Sequence, residues 1–391
     1  MAARISAIAV ALVAAVAVVA LGVPTAGLRV VLAVIAALGV AAVAALTSAR
    51  VRREHPVVAR TLITVVVVAV SLIGTARLGS NVDTDLSLGA AMTIVLLGLS
   101  FLTGSSGQIS LGNGAFMGVG AFTVAIWANH HHSSPLILVL VLAVVAGAAV
   151  GFLLGLPATR LRGPYLAGMT LAFAVAFSAI LNVFGSWTGG DSGLQLPNAE
   201  NAPPWLTRLY PASTASLSVN SVWLASLTVV AAGIALFFMS NLFASRFGRA
   251  MRLVRDNDVA AELVGISLPR ARVTAFVISA AYAALGGGLW TIVNNAVTPS
   301  TYGFALSVTI LSLVVIGGIG TIPGAIIGGL IYAFSNSAIG WITAHTGLSP
   351  QGNVASQLNG IIFGALLVLT IIFAPLGISG ALRRLWARRT W

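Results

Sequence analysis

Side chains that could do chemistry are scarce in this chain of 391 residues, and they concentrate in two segments. Residues 246–272 hold six of the twenty basic residues and three of the eight acidic residues. Residues 102–122 place Gln108, Ser110 and Asn113 among glycines. Neither segment contains the set of His, Asp and Glu side chains that acid–base or metal chemistry needs. We therefore expect these segments to bind, to move or to line a passage, and we expect no catalytic residues.

The chain contains no cysteine, and all twenty of its basic residues are arginines. This composition excludes thiol chemistry, disulfides, iron–sulfur ligation, a lysine Schiff base and the lysine of a Walker A phosphate-binding loop. We therefore expect no cofactor and no P-loop ATP site in the chain itself. His130, His131 and His132 are consecutive, so their side chains cannot all face one ion, and an exposed loop is favoured over a metal site.

Apolar runs make up most of the sequence, since 58% of the residues are hydrophobic and 7% are charged. A run of ~20 apolar residues is long enough to cross the hydrocarbon layer of a membrane as a helix. The pattern predicts an all-α, polytopic transmembrane helix bundle of about 10–12 spans, some of them broken or re-entrant. The predicted runs are 5–23, 28–47, 61–79, 86–104, 112–128, 135–157, 166–184, 221–240, 273–293, 304–320, 323–344 and 357–374.

Arginine clusters between the runs predict the orientation, because cytoplasmic loops are enriched in Lys and Arg. Counting from a cytoplasmic N-terminus places every cluster, and the C-terminus, inside. The same count places Asp83, Asp85, the three histidines and the segment 185–220 outside. Short arginine clusters between apolar runs also argue against a nucleic-acid partner, despite a net charge of +12. The clusters lie at residues 50–60, 160–162, 246–272 and 383–389.

The chain is predicted to have three parts. Residues 1–85 form N-terminal transmembrane helices, the first of them uncleaved, because the second apolar run follows almost at once. Residues 86–374 form a core with a cytoplasmic loop over residues 241–272, and residues 375–391 form a basic cytoplasmic tail. The eight acidic residues fall in loops or at the edges of spans. This distribution argues against a proton-coupled carrier, which keeps an ionisable relay inside the membrane, while sodium coupling through backbone carbonyls stays open.

Glycine spacing predicts both close packing and breaks. The stretches 102–122 and 315–330 interrupt apolar runs with polar residues, Gly or Pro, so the freed backbone groups must be buried in protein or face a cavity. Paired interruptions of this kind point to a translocation path. Gln108, Ser110 and Asn113 either line that path or only cap a broken helix. Two ridges of small residues at four-residue spacing predict close helix packing: Gly147, Gly151 and Gly155, and Gly320, Gly324 and Gly328.

The polar segment 246–272 is predicted to contain a short capped helix. Asp256, Asn257 and Asp258 suit its N-cap and first turn, and Gly265 suits the left-handed residue that ends a helix. Pro269 then suits the first turn of the next span.

Arginines at every third residue from Arg246 to Arg255 are expected to follow a stripe on the helix before this one. A cytoplasmic anchor that touches phospholipid would explain the stripe. A short helix that is capped at both ends exceeds what an anchor needs.

At these residues the sequence resembles a known family. The stretch AAELVGISLP, residues 260–269, looks like a variant of the cytoplasmic EAA-type loop by which ABC-importer permeases dock their ATPase. Three further blocks, GQISLGNGAFMGVGAF, ATRLRGPYLAGMTLAFA and VVIGGIGTIPGAIIGG, are similar to the branched-chain amino acid permease family of Liv type. They occur in the family's order and spacing, and the resemblance covers residues 86–374. The family often has a histidine where this chain has Asn113.

The resemblance implies a multi-pass permease subunit of an ABC importer in the bacterial plasma membrane, without an enzyme site of its own. Its implied partners are a second homologous permease, two cytoplasmic ATPase subunits that bind the ATP, an external substrate-binding protein and the lipid bilayer. Asn113 is expected to border the path with Gln108 and Ser110. The residues expected to couple the chain to the ATPases are Asp256, Asp258, Ala260, Ala261, Glu262, Gly265 and Pro269.

Two alternatives stay open at this point. Within the same class, permeases for urea and short amides are similar, so those solutes are the alternative to branched-chain amino acids. In a different class, the chain would be a self-sufficient secondary carrier or channel.

Overall fold

Helices form almost all of the described chain. The computed structural model describes residues 80–131, 135–161, 163–196, 219–346, 364, 368, 370, 372 and 377–381. The first helices are α1 (Ser80–Ser106), α2 (Asn113–His130), α3 (Leu136–Ala158), α4 (Pro164–Val183), the one-turn α5 (Gly185–Thr188) and α6 (Val219–Ala244). They are followed by α7 (Arg246–Asp256), α8 (Asp258–Leu263), α9 (Leu268–Asn294), α10 (Phe304–Gly317) and α11 (Ile322–Thr346).

The strands within these ranges form one small antiparallel pair. Strand β1 (Leu194–Gln195) pairs with β2 (Ala296–Val297), so that Leu194 lies opposite Val297. Two 3₁₀ turns, Gly190–Ser192 and Pro299–Tyr302, flank the pair. The fold is therefore an all-α polytopic helix bundle, as predicted.

Contacts divide the chain into two compact units, Met1–Ser87 with Ala202–Asn241, and Leu88–Asn201 with Leu242–Trp391. The described part of the first unit is the start of α1 and most of α6. The prediction of separate N-terminal helices over residues 1–85 lies almost entirely outside the described residues, and so does the predicted basic tail. In the second unit, α9 is the central helix and packs along α3 and α2.

Five described helices are long and apolar enough to cross a membrane: Asp83–Ser106, Leu136–Ala158, Pro164–Val183, Asn220–Ala244 and Leu268–Asn294. Phe304–Gly317 and Ile322–Ala333 are shorter apolar helices. Eight of the predicted apolar runs coincide with described helices α1 to α4, α6 and α9 to α11. The runs 5–23, 28–47 and 61–79 lie outside the described residues, as does most of 357–374.

Three consecutive glycines explain how α9 reaches so many neighbours. Successive residues of a helix point about 100° apart, so Gly286–Gly288 face three directions. The first glycine lies against Ala91 of α1, the second against the carbonyl oxygen of Met117 in α2, and the third against Val124 of α2 and near Leu140 of α3. A side chain at the first or second position would meet backbone atoms, so the sequence GGG allows three helices to approach one.

The first predicted glycine ridge is confirmed. Gly147 and Gly151 of α3 lie against Ala284 and Ala280 of α9, and a Cβ atom at Gly151 would lie 2.5 Å from the Ala280 Cβ. Close approach through small residues of this kind replaces the hydrophobic drive that is missing between helices in lipid.

The second predicted ridge is wrong as a single surface. Gly320 lies before α11 begins and packs on Gly104 of α1, whereas Gly324 packs on Gly317 and Gly328 on Leu313. The chain breaks between α10 and α11, so the four-residue spacing does not continue on one helix.

The helix α1 also begins earlier than its apolar run. Asp83 and Asp85 lie in its first two turns, and Asp83 is fully buried. These positions remain at the end of the span, in agreement with the prediction that acidic residues lie at span edges.

Candidate functional site

The predicted capped helix is α8, and both of its caps are formed. The Asn257 side chain accepts a hydrogen bond from the Ala260 amide at 3.0 Å. At the other end Gly265 has φ of +82°, the Gly265 amide donates to the Glu262 carbonyl, and the Ile266 amide donates to the Ala261 carbonyl. This pair of bonds is a Schellman motif, which satisfies carbonyls that the end of a helix leaves free.

One detail of the predicted loop changes and another is confirmed. Asp256 is the last residue of α7 and does not cap α8, because the chain between the helices is a single residue, Asn257. Pro269 is in the first turn of α9, as predicted, and Ser267 is the residue before that helix. The loop therefore contains two rigid helices with a single extended residue between them.

An ion pair holds α8 against the bundle. Asp258 in its first turn accepts from Arg272 of α9 at 2.6 Å, and the Arg272 side chain also donates to the Thr159 carbonyl just after α3 at 3.4 Å. Arg272 is almost fully buried. Sequence reasoning assigned no partner to Asp258 and no role to Arg272. An arginine in the first turns of an apolar span, shortly after an acidic residue, was the available signal.

The two faces of α8 differ in chemistry. Ala261 is fully buried, whereas Glu262 is exposed. Leu263 is 83% exposed and Val259 is 66% exposed. Glu262 and Leu263 lie three and four residues after Val259, so both are neighbours of Val259 on the helix surface. Sequence reasoning missed the two apolar residues. This exposed face of Val259, Glu262 and Leu263 is called the α8 surface below.

The arginines of α7 contact protein carbonyls at the ends of helices. Arg249 donates to the Ala244 carbonyl at 2.8 Å and Arg252 donates to the Phe243 carbonyl at 3.2 Å, both at the end of α6. Arg255 donates to the Gly104 carbonyl in the last turn of α1 at 2.6 Å. A cation near the negative end of a helix is favourable. Three arginines of the stripe thus bond to protein carbonyls.

The three predicted path residues lie at the break between α1 and α2. Gln108, Ser110 and Asn113 are all buried, and Asn113 is the first residue of α2. Ser110 accepts from the Gly112 amide at 3.3 Å. Within the described chain, the amide groups of the Gln108 and Asn113 side chains have no hydrogen-bond partner. Buried amide groups without a partner are uncommon in folded proteins, so each calls for an explanation.

Side chains of other helices satisfy the backbone at this break. The Leu111 amide donates to the Thr170 hydroxyl of α4 at 2.9 Å, and the Gly114 amide donates to the Ser307 hydroxyl of α10 at 3.0 Å. Protein groups therefore satisfy the backbone at Leu111 and Gly114, as is required of backbone near a helix break within a membrane, while Gly107 and Ile109 are exposed.

The second break, between α10 and α11, meets the end of α1. The Gly320 amide donates to the Ser100 hydroxyl of α1 at 3.1 Å, and Gly104 packs directly on Gly320. Thr321 then caps α11 by accepting from the Gly324 amide at 3.1 Å. The structure thus brings together the two interruptions that the sequence placed far apart.

These features define a class: a multi-pass membrane protein with paired helix breaks inside the bundle and a rigid two-helix loop between two spans. The chain belongs to the family described as branched-chain amino acid transport system, permease component, whose model matches residues 81–371.

Similar proteins support this family assignment. The chain is 32% identical to the high-affinity branched-chain amino acid transport system permease protein LivM of Salmonella typhimurium, over 76% of this chain and 70% of the relative. It is also 32% identical to LivM of Escherichia coli, over 75% of this chain and 69% of the relative. Identity to LivH of Salmonella typhimurium is 26%, over 75% of this chain and 92% of that relative. No solved structure matches the chain.

The Gly265 turn gives a prediction about the loop. Replacement by valine should open the end of α8, because a left-handed conformation costs an L-residue roughly 1–2 kcal/mol and a β-branched residue resists it further. We expect Gly265→Val to speed limited trypsin cleavage after Arg270 severalfold in detergent. Gly265→Asn is the control, since asparagine tolerates this conformation. Equal cleavage rates in the parent and the valine variant would contradict the role of the turn.

Proposed function

We propose that the chain is the transmembrane permease subunit of an ABC importer that moves branched-chain amino acids across the bacterial plasma membrane. In this proposal a second permease completes the passage, two separate cytoplasmic subunits bind ATP, and an external protein delivers the substrate. The names of the relatives support the substrate, and the lack of lysine supports ATP binding elsewhere. Both termini are proposed to be cytoplasmic.

The observation that carries this proposal is the rigid, capped α8 with its α8 surface exposed. An apolar residue as exposed as Leu263, on a short helix that is bonded to the core through Asp258, is what a docking element needs. A flexible loop would not transmit the displacement of a docked partner to the bundle, whereas a helix that an ion pair fixes to α9 can transmit it. We propose that closure of the ATPases on ATP displaces α8 and that the helix bundle rocks in response.

The passage is proposed to run along the break at residues 107–112. The unpartnered amide groups of Gln108 and Asn113 offer uncharged donors and acceptors to a passing solute. Such groups suit transient contact, because a charged pocket would hold a zwitterionic amino acid instead of releasing it. Affinity then resides in the external binding protein. The names of the relatives favour amino acids over urea or short amides as the solute.

The docking proposal predicts that the α8 surface controls assembly. Leu263→Ser removes an apolar contact and Glu262→Arg reverses a charge, so each should lower the amount of ATPase subunit that co-purifies with the chain about tenfold, the effect of roughly 1.4 kcal/mol. Arg249→Gln is the matched control, since it changes charge on α7 while leaving the α8 surface intact. Wild-type co-purification in both α8 variants would refute docking through this surface.

The path proposal predicts a transport defect without an assembly defect. Asn113→Leu places a larger apolar group at a buried position and removes an amide, so uptake of radiolabelled leucine should fall about tenfold, or about 1.4 kcal/mol in the barrier. Ile109→Leu introduces the same residue at a half-exposed position of the same break and should transport normally. Normal uptake by a well-expressed Asn113→Leu complex would reject the assignment.

A further inference from the structure

We propose that Arg255 is a positioning residue that ties the docking loop to both helix breaks, so that a displacement of α8 moves the passage. The inference rests on the proposed function and adds the mechanical connection that it needs. In this proposal Arg255, unlike Arg249 and Arg252, connects α7 to the helix breaks.

Arg255 differs from its neighbours in the carbonyl that it selects. Arg249 and Arg252 bond to Ala244 and Phe243, which directly precede α7 in the chain and stiffen the turn between α6 and α7. Arg255 instead reaches Gly104, 151 residues away in sequence. Of these three arginine bonds, the Arg255 bond is the one that joins α7 to a helix that carries a break, next to the stacking of Phe247 on Phe101 of α1.

The stem of Arg255 also supports the turn that ends α1. Gly107 has φ of +70°, and a Cβ atom at this glycine would lie 2.8 Å from the Arg255 Cγ. The arginine thus contacts the first residue of the break as well as the last turn before it. Gln108, with its buried and unpartnered amide, follows at once.

The residue that Arg255 holds is also the contact point of the second break. Gly104 packs on Gly320, which is fixed by the Ser100 hydroxyl. There is no side chain on either glycine to absorb a shift, so the two backbones move together. A change in the position of the Gly104 carbonyl therefore reaches the break between α1 and α2 and the break between α10 and α11.

At its other end Arg255 is two residues from α8. It pairs with Asp256 at 2.8 Å, and Asn257 caps α8. This ion pair is exposed and contributes little to stability. The Nε and Nη2 atoms of Arg255 face Asp256, while its Nη1 atom donates to the Gly104 carbonyl. Only one extended residue, Asn257, lies between α8 and the helix that carries Arg255. A displacement of α8 is therefore transmitted to Arg255 with little loss.

The test measures coupling apart from assembly. The full complex with Arg255→Gln is reconstituted with ATP, the binding protein and radiolabelled leucine, and the uptake per ATP hydrolysed is compared with the parent. We expect the ATPase subunits to co-purify normally and uptake per ATP to fall about tenfold, since a charge-assisted hydrogen bond is lost. Arg249→Gln loses a comparable bond to a different carbonyl and should keep the parental ratio.

A purely structural role would give a different result. In that case Arg255→Gln would lower the melting temperature or the yield of complex but leave uptake per ATP unchanged, and this result would overturn the inference. If Arg255→Gln does not fold, Arg255→Lys carries the test, because it keeps the charge but loses the planar fork. A reduced ratio in the lysine variant supports the inference, and a parental ratio overturns it. Absence of ATP-driven uptake in the parent complex would instead refute the proposed function.

Discussion

Backbone groups that leave a helix inside an apolar bundle must find hydrogen bonds within the protein, and this requirement organises the described core. At the break after α1, backbone amides donate to the hydroxyls of Thr170 and Ser307 on two other helices. At the break before α11, a backbone amide donates to the Ser100 hydroxyl. The direct contact of Gly104 with Gly320 follows, because side chains there would keep the breaks apart. The two breaks therefore depend on the glycines, which allow close approach, and on the hydroxyls, which bond to the freed backbone groups.

The loop formed by α7 and α8 obeys the same requirement at the ends of its helices. Asn257, the Schellman turn at Gly265 and Arg255 each satisfy terminal backbone groups. These bonds make the loop stiff and connect it to the spans. Because the loop is stiff, the exposed Leu263 is held in a fixed position. A fixed apolar surface can bind a partner and transmit its motion. The proposed coupling treats the loop and the breaks as one mechanical system.

Local features of this system could be predicted from sequence, and long-range ones could not. The caps of α8 and the turn at Gly265 depend on residues within one or two helical turns, so their spacing was sufficient. The Asp258–Arg272 pair and the Arg255–Gly104 bond depend on how helices distant in sequence meet. The Gly320 ridge failed because four-residue spacing predicts one surface only if the helix continues, and the position of a break is a tertiary property. The exposure of Val259 and Leu263 is likewise a tertiary property, because it depends on which face of α8 packs on the bundle.

The most direct test of the account is leucine uptake by proteoliposomes that contain either this chain alone or the complete complex, with ATP on the side of the ATPases. The account predicts concentrative uptake by the complete complex with hydrolysable ATP, and none by the chain alone or with a non-hydrolysable analogue. Uptake by the isolated chain at the rate of the complex, without ATP, would contradict it and favour a self-sufficient carrier or channel.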